Sequence, residues 1–312
     1  MHTGHCDYIQ NCLKFSMIFV STNSITHIGS RRSWKTYQVA LVLIASAILI
    51  SCTSVPFENN RASEFALPKS ETQMSRGLET IIGDISGDKV LMAPLVDGND
   101  ALAARFRLIE IAERSIDVKT FLIKPDTVGA LIWLKLYEAA ERGVKIRLLY
   151  DDVFTNATDD DIASLDAHPN VEIRTFNPLS RNSTALGNFL FDFKRVNRRM
   201  HNKAMIVDGV VAVMGGRNIA DEYYQIATSN EFADFDLLVA GAPIEDLSDA
   251  FDLYWNDMWS VRLENLAQGD DRELKSTLDA FLAQRESPEV EVYRKAMDSD
   301  YISDLKAGRL ER

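Results

Sequence analysis

Lys203-Ala-Met-Ile-Val207 and Val210-Val-Ala-Val-Met214 are apolar runs rich in strand formers, joined through Asp208-Gly209. A D-G dipeptide between two such runs is the strongest short-range signal for a β-hairpin. The stretch therefore commits the chain to an antiparallel pair and fixes which neighbouring residues share a face. His201 stands two residues before Lys203. With a side-chain period of two, His201 and Lys203 point the same way, about 7 Å apart along the strand from two rises of ~3.3 Å. Asp208 then falls in the turn or on the other face, which gives it a structural role. Gly215-Gly216 and Asn218 follow, and Ile219 onward reads as a helical run that Asn218 is suited to cap. An imidazole and an ammonium on one face suit a nucleophile beside an anion clamp.

The rest of the composition narrows the chemistry. The chain has 312 residues, a formal net charge of −12 and 46% hydrophobic residues, which is enough for a full core. An acidic balance argues against non-specific nucleic-acid binding, which rests on neutralising phosphates. The three cysteines are Cys6, Cys12 and Cys52, so the body beyond residue 52 has neither a disulfide framework nor a thiolate metal site. Beyond that point the histidines are His168 and His201, which argues against a histidine-rich metal site.

Four segments are expected. Residues 1–51 read as a leader with an uncertain start: Arg31, Arg32 and Lys35 precede the apolar run Val39 to Ile50, the length of a signal-peptide core and short for a membrane span. Residues 52–85 read as a polar linker, 86–262 as the functional body, and 263–312 as a charged, helical C-terminal segment. Within the body, strands are expected at Lys89 to Pro94, Ser115 to Ile123, Val144 to Tyr150, Val171 to Phe176 and Phe235 to Ala240. Helices are expected at Ala101 to Arg114, Leu131 to Ala140, Asp159 to Asp166 and Glu245 to Trp259, with Gly143 as a left-handed C-cap. This alternation predicts an α/β unit with a parallel or mixed sheet. Asn182 to Arg199 is basic and aromatic, suited to a solvated helix face, to lipid headgroups or to nucleic acid. The aromatics of Glu245 to Trp259 are expected in the core.

The order H-x-K-x4-D, then Gly-Gly and Asn, resembles the signature of the phospholipase D superfamily. The wording R-R-M-H-N-K-A-M-I-V-D and G-G-R-N-I-A-D-E-Y is similar to bacterial cardiolipin synthases of the C type, over about Lys89 to Trp259. The resemblance implies an α-β-α sandwich with a mixed sheet, one half of the usual two-half enzyme. It implies phosphatidyl transfer that forms cardiolipin, with no metal and no cofactor. Its site residues would be His201 as nucleophile, Lys203 and Asn218 on the phosphate, and Asp208 as the third motif letter. A carboxylate some thirty residues downstream would orient the histidine: Asp234, with Asp236 as fallback. The alkoxide leaving group needs a general acid, which the family takes from a second H-x-K half. The chain has one, so a homodimer or a second half is the expected partner, beside phospholipid and membrane. Alternatives are a homodimeric periplasmic phosphodiesterase, nuclease or phospholipase, and an inactive lipid-binding remnant. Ser51-Cys52 and the aliphatic residues before it resemble a lipobox, which implies lipidation of Cys52 and a membrane-anchored, periplasm-facing place in a bacterial envelope.

Overall fold

The computed structural model describes residues 37–40, 55–57, 61–83, 89–225, 231–266, 276 and 279–280. The chain divides into two units, Met1–Cys52 and Thr53–Arg312. In the first, residues 37–40 are helical. The rest of the expected leader, Cys52 itself and nearly all of the expected C-terminal segment lie outside the described residues.

The second unit is built on eight strands: β1 (Val90–Leu95), β2 (Ser115–Thr120), β3 (Lys145–Asp151), β4 (Val171–Phe176), β5 (Lys203–Val207), β6 (Val211–Gly215), β7 (Asp236–Gly241) and β8 (Ser260–Arg262). Their order across the sheet is β1-β7-β6-β5-β2-β3-β4-β8. The pairs β2-β3 and β3-β4 are parallel and the others antiparallel, so the sheet is mixed, as expected. The parallel strands are joined by α3 (Thr127–Glu141) and α4 (Asp159–Asp166), and α2 (Gly98–Ile111) leads into β2. Leu102, Phe106 and Ile109 of α2, Leu136 of α3 and Leu165 of α4 are buried in the core, and Asp97, Asp126 and Thr158 cap the first turns.

Residues of β3, β4, β5, β6 and β7 feed two separate cores on the two faces of the sheet. On one face Ile116, Ile146, Leu148, Met205 and Val207 pack with Phe106, Ile109 and Leu136 of α2 and α3. On the other, Leu149, Ile206 and Val239 pack with Phe251 and Trp255 of α7 (Pro243–Trp255). The result is an α/β/α sandwich, and the aromatics of α7 are core residues, as expected.

Three expectations are corrected. The segment from Thr53 to Gly83 is not a bare linker: it carries helix α1 (Gln73–Ile82), begun by a Thr72–Ser75 capping box. It also packs on the body: Glu64 pairs with Arg174 and Arg262, each at 2.9 Å, and Arg61 Nη1 donates to the Ser260 carbonyl at 2.7 Å. The helix α7 stops at Trp255, and Ser260–Arg262 instead forms the edge strand β8 on β4. No α-helix starts at Ile219. Its backbone bonds to residues 122–124, forming a bridge with Ile123, before a short 3-10 turn at Asp221–Tyr223.

Candidate active site

The hairpin forms as its sequence dictates. β5 and β6 pair in register from Lys203↔Gly215 to Val207↔Val211, and the turn residues Asp208 and Gly209 both take left-handed backbone, φ 55° and 64°. Left-handed conformations at both central positions define the tight turn that D-G favours. Because β2 runs antiparallel to β5, the start of β5 lies beside the C-terminal end of β2, where β3 and β4 also end. His201 is therefore held at the carboxyl end of the parallel strands, the usual place for ligand sites in open α/β sheets.

At that end His201 and Lys203 come together. Lys203 Nζ is 3.1 Å from His201 Nε2 and donates to the His201 carbonyl at 2.9 Å. The Lys203 side chain is buried while His201 is exposed. Phe121 backs both: its ring centre is 4.6 Å from that of His201, edge to face, and 5.2 Å from Lys203 Nζ. The His201 pKa is lowered, first by burial of the ring and then by the Lys203 charge, against a raising effect of Asp234. The Lys203 pKa is lowered by burial, again against Asp234. The lowered His201 pKa favours a neutral imidazole.

Asp234 stands where the resemblance placed an orienting carboxylate, but its contact with the ring is through charge. Its Oδ1 accepts from the Phe235 amide at 2.8 Å, and no hydrogen bond joins it to His201 among the described residues. The glycine pair explains how it fits. A Cβ on Gly216 would lie 1.8 Å from Asp234 Oδ1, and one on Gly215 would lie 2.3 Å from the Phe235 carbonyl oxygen. Two bare α-carbons let the start of β7 close against the end of β6.

The remaining candidates divide. Asn218, three residues past the end of β6, is buried with an unpartnered Oδ1, and it caps no helix. A buried polar atom left unsatisfied is a rare feature that calls for a function. Asp236, the fallback, is fully buried between Arg105 at 3.0 Å and Arg217 at 3.3 Å, so its oxygens are committed to holding β7. Asp208 sits at the opposite end of β5 from His201. Its carboxylate accepts from the amides of Glu113, Arg114 and Ser115 at 3.0, 2.8 and 3.0 Å, tying the hairpin turn to the start of β2. The third motif letter is thus a structural brace rather than a group at the site. His168 is away from the site, with Nε2 2.9 Å from Glu141.

Sequence reasoning missed the residues that aim the histidine. Asp151, fully buried at the end of β3, accepts from the Met200 amide at 2.8 Å and from Arg199 Nη1 at 2.9 Å. Arg199 Nη2 also donates to the Asn177 carbonyl at 2.7 Å. Asn177, in left-handed backbone after β4, donates through Nδ2 to the carbonyls of Arg195 and Arg198. The two residues before His201 are thereby pinned to the ends of two parallel strands. The aspartate ending a strand at Tyr150-Asp151 was the one available signal. Among the described residues no group of three or more His, Cys, Asp or Glu side chains is placed to hold a metal ion.

Residues 106–236 match the family model described as "Cardiolipin synthase, PLD-like domain". Over these residues the chain is similar to the phospholipase D superfamily. Over 218 residues it is 38% identical to cardiolipin synthase C of Escherichia coli (strain K12), an alignment that takes in 70% of this chain and 46% of that one. It is 31% identical over 164 residues to cardiolipin synthase A of Pseudomonas entomophila (strain L48), covering 52% and 33%. Among solved structures, NucT from Helicobacter pylori superposes with a TM-score of 0.43 at 16% identity, over 56% of this chain and 99% of that one. The chain spans less than half the length of the two cardiolipin synthases. Within the matched residues, His201, Lys203 and Asp234 lie at one end of β5, and Asp208 lies at the other.

Proposed function

We propose that this chain is a phosphatidyltransferase of the cardiolipin synthase kind, acting through a phosphorylated His201. The observation that carries the reading is the Lys203 Nζ to His201 Nε2 distance of 3.1 Å beside an exposed imidazole whose pKa is lowered. With Lys203 donating to Nε2, the lone pair lies on that nitrogen and the ring proton on Nδ1, and Lys203 passes from Nε2 to a phosphoryl oxygen as Nε2 attacks. A neutral nitrogen approaches an anionic phosphodiester without charge repulsion, and covalent catalysis splits one hard displacement into two easier ones. As the Nε2–P bond forms, the bond from phosphorus to the leaving oxygen breaks and that oxygen takes up a proton. In the second half an acceptor alcohol gives its proton to the base left by the proton donor of the first half, attacks phosphorus and releases the imidazole. Lys203 and the amide of Asn218 stabilise charge on the phosphoryl oxygens.

Among the described residues this site holds no second imidazole to protonate the leaving group, and we place that donor on a second motif-bearing half or a second copy of the chain. The acceptor fits phosphatidylglycerol, which gives cardiolipin. With water as acceptor the same steps hydrolyse the lipid, and the exposure of His201 favours that as the second outcome. The apolar run Val39 to Ile50 and Ser51-Cys52 support anchoring in a bacterial envelope.

A phosphodiester with a nitrophenolate leaving group tests the step in the purified chain, because a weakly basic leaving group needs no acid. A burst of nitrophenolate stoichiometric with protein is expected, with the adduct mapped to His201 by mass spectrometry and absent from His201→Ala. No burst, or an undiminished burst in the variant, would sink the reading.

A further inference from the structure

Just before the catalytic histidine two short helices expose large apolar side chains. In α5 (Ala185–Phe191) and α6 (Phe193–Val196), Leu186, Phe189, Leu190 and Phe193 are 68, 38, 67 and 59% exposed. Asn188 and Arg195 turn inward beside the buried Val196. Asn188 is buried, accepting from the Ser180 amide at 2.9 Å and donating to the carbonyls of Ser180 and Thr184. Arg195 donates to the Asn177 side chain and the Pro178 carbonyl at 2.7 and 2.8 Å and pairs with Asp192. The apolar face is thus held outward by a satisfied polar network. Contiguous large apolar side chains in water mark an interaction surface.

Charge identifies the partner. Lys194 and Arg198 are exposed beside these residues, and neither forms an ion pair with a carboxylate among the described residues. Arg198 lies 5.4 Å from the ring centre of Trp259. In a chain with a net charge of −12, the segment 185–199 carries Lys194, Arg195, Arg198 and Arg199 against Asp192 alone. Apolar side chains ringed by cations are the composition of a helix that lies in an anionic lipid interface.

The patch is also coupled to the chemistry. Asn177 holds the carbonyls of Arg195 and Arg198, and Asp151 holds Arg199 and Met200, which leaves His201 as the next residue. A second apolar element stands at the same mouth: Phe154 is 57% exposed, and its ring meets Phe121, which meets His201.

We infer that α5 and α6 are the surface on which this protein docks into an anionic phospholipid bilayer, with Leu186, Phe189, Leu190 and Phe193 entering the interface and Lys194 and Arg198 meeting lipid phosphates. The inference rests on reading the substrate as a phospholipid. Docked in this way, the rigid link through Asp151 and Asn177 brings headgroups to His201 rather than leaving them to diffuse there.

The test uses the full chain in vesicles, so that any N-terminal anchoring is common to all samples. Leu190→Trp and Leu253→Trp place a reporter on α5 and, as control, on α7, where Leu253 is 75% exposed. With brominated phosphatidylglycerol in the vesicles, quenching at position 190 is expected to exceed that at 253 at least two-fold. Adding Lys194→Glu and Arg198→Glu should remove most of that excess. Equal quenching at the two positions overturns the inference. So does shielding of position 190 from an aqueous quencher that rises with protein concentration in the absence of lipid, which would assign the face to a second copy. The nitrophenolate burst is independent of both outcomes, so failure here leaves the catalytic reading standing and the reverse also holds.

Discussion

Lys203 Nζ touches both ends of His201, lying 3.1 Å from the ring nitrogen Nε2 and 2.9 Å from the backbone carbonyl oxygen. The lysine therefore orients the ring and keeps it neutral. Replacing it by methionine removes the charge that, after burial, does most to lower the His201 pKa. The His201 titration is expected to move to higher pH in Lys203→Met, read from the ring resonances by NMR. Turnover of the nitrophenyl ester should fall roughly 100–1,000-fold, the usual loss when one transition-state donor is removed. An unchanged titration would show that the contact is absent in solution.

Asp234 acts in the opposite sense, raising the pKa of both groups. Its position depends on Gly216, whose Cβ would sit 1.8 Å from Oδ1. Gly216→Ala must push the carboxylate away. In Gly216→Ala and in Asp234→Asn alike, His201 is expected to titrate at lower pH than in the parent. If Asp234→Asn leaves the titration where it was, the carboxylate has no hold on the ring.

Asp151 reaches His201 only through Arg199 and the Met200 amide. Asp151→Asn leaves the Arg199 guanidinium without its ion partner in a largely buried place, a change that costs roughly 3–5 kcal/mol. Urea unfolding measures that loss. The positioning role predicts more: the His201 ring resonances should shift or broaden in the folded variant. Lower stability with unmoved His201 resonances would reduce Asp151 to scaffolding.

Asp208 provides the contrast. Asp208→Ala strips an acceptor from three amides at the start of β2. A charged acceptor shared among three donors is expected to cost roughly 3 kcal/mol, less than the sum of the single bonds. His201 should titrate as in the parent, because the two residues lie at opposite ends of β5. A moved His201 titration would return Asp208 to the site.

The residues around His201 also show where the sequence is readable. His201, Lys203 and Asp208 were placed correctly relative to one another because strand period and turn chemistry are local rules, and the hairpin obeys both. Asp151 and Arg199 are 48 residues apart and meet only because β2, β3 and β5 are neighbours, an order that no local pattern states. The same holds for β1 on β7 and β8 on β4, which are pairings across most of the domain. The helix expected after Asn218 failed for a different reason. The backbone of Ile219 finds its partners in residues 122–124, and tertiary pairing overrides a weak helical tendency. In the polar stretch before the body, Glu64 and Arg61 gave no periodic signal, yet their partners on β4, β8 and α7 hold the segment in place.

Lys119 tests how the sheet tolerates charge next to the site. It is 5% exposed on β2, with Nζ 4.6 Å from the centre of the Tyr254 ring, and burial lowers its pKa from 10.5 to about 8. Between those values the unfolded chain binds a proton that the folded chain does not, so stability rises with pH across that window. Below about pH 8 the full cost of burying the ammonium applies, roughly 3 kcal/mol from the size of the shift. The cation–π contact with Tyr254 offsets about 0.5–2 kcal/mol of it. Lys119→Met is therefore expected to be more stable than the parent by roughly 1–3 kcal/mol at pH 7, with the advantage shrinking as the pH approaches 10. Urea denaturation of both proteins at pH 7 and pH 10 measures the difference. A gap that does not change with pH would mean that Lys119 keeps its proton in the folded chain, and that Tyr254 and the surrounding sheet end accommodate the charge.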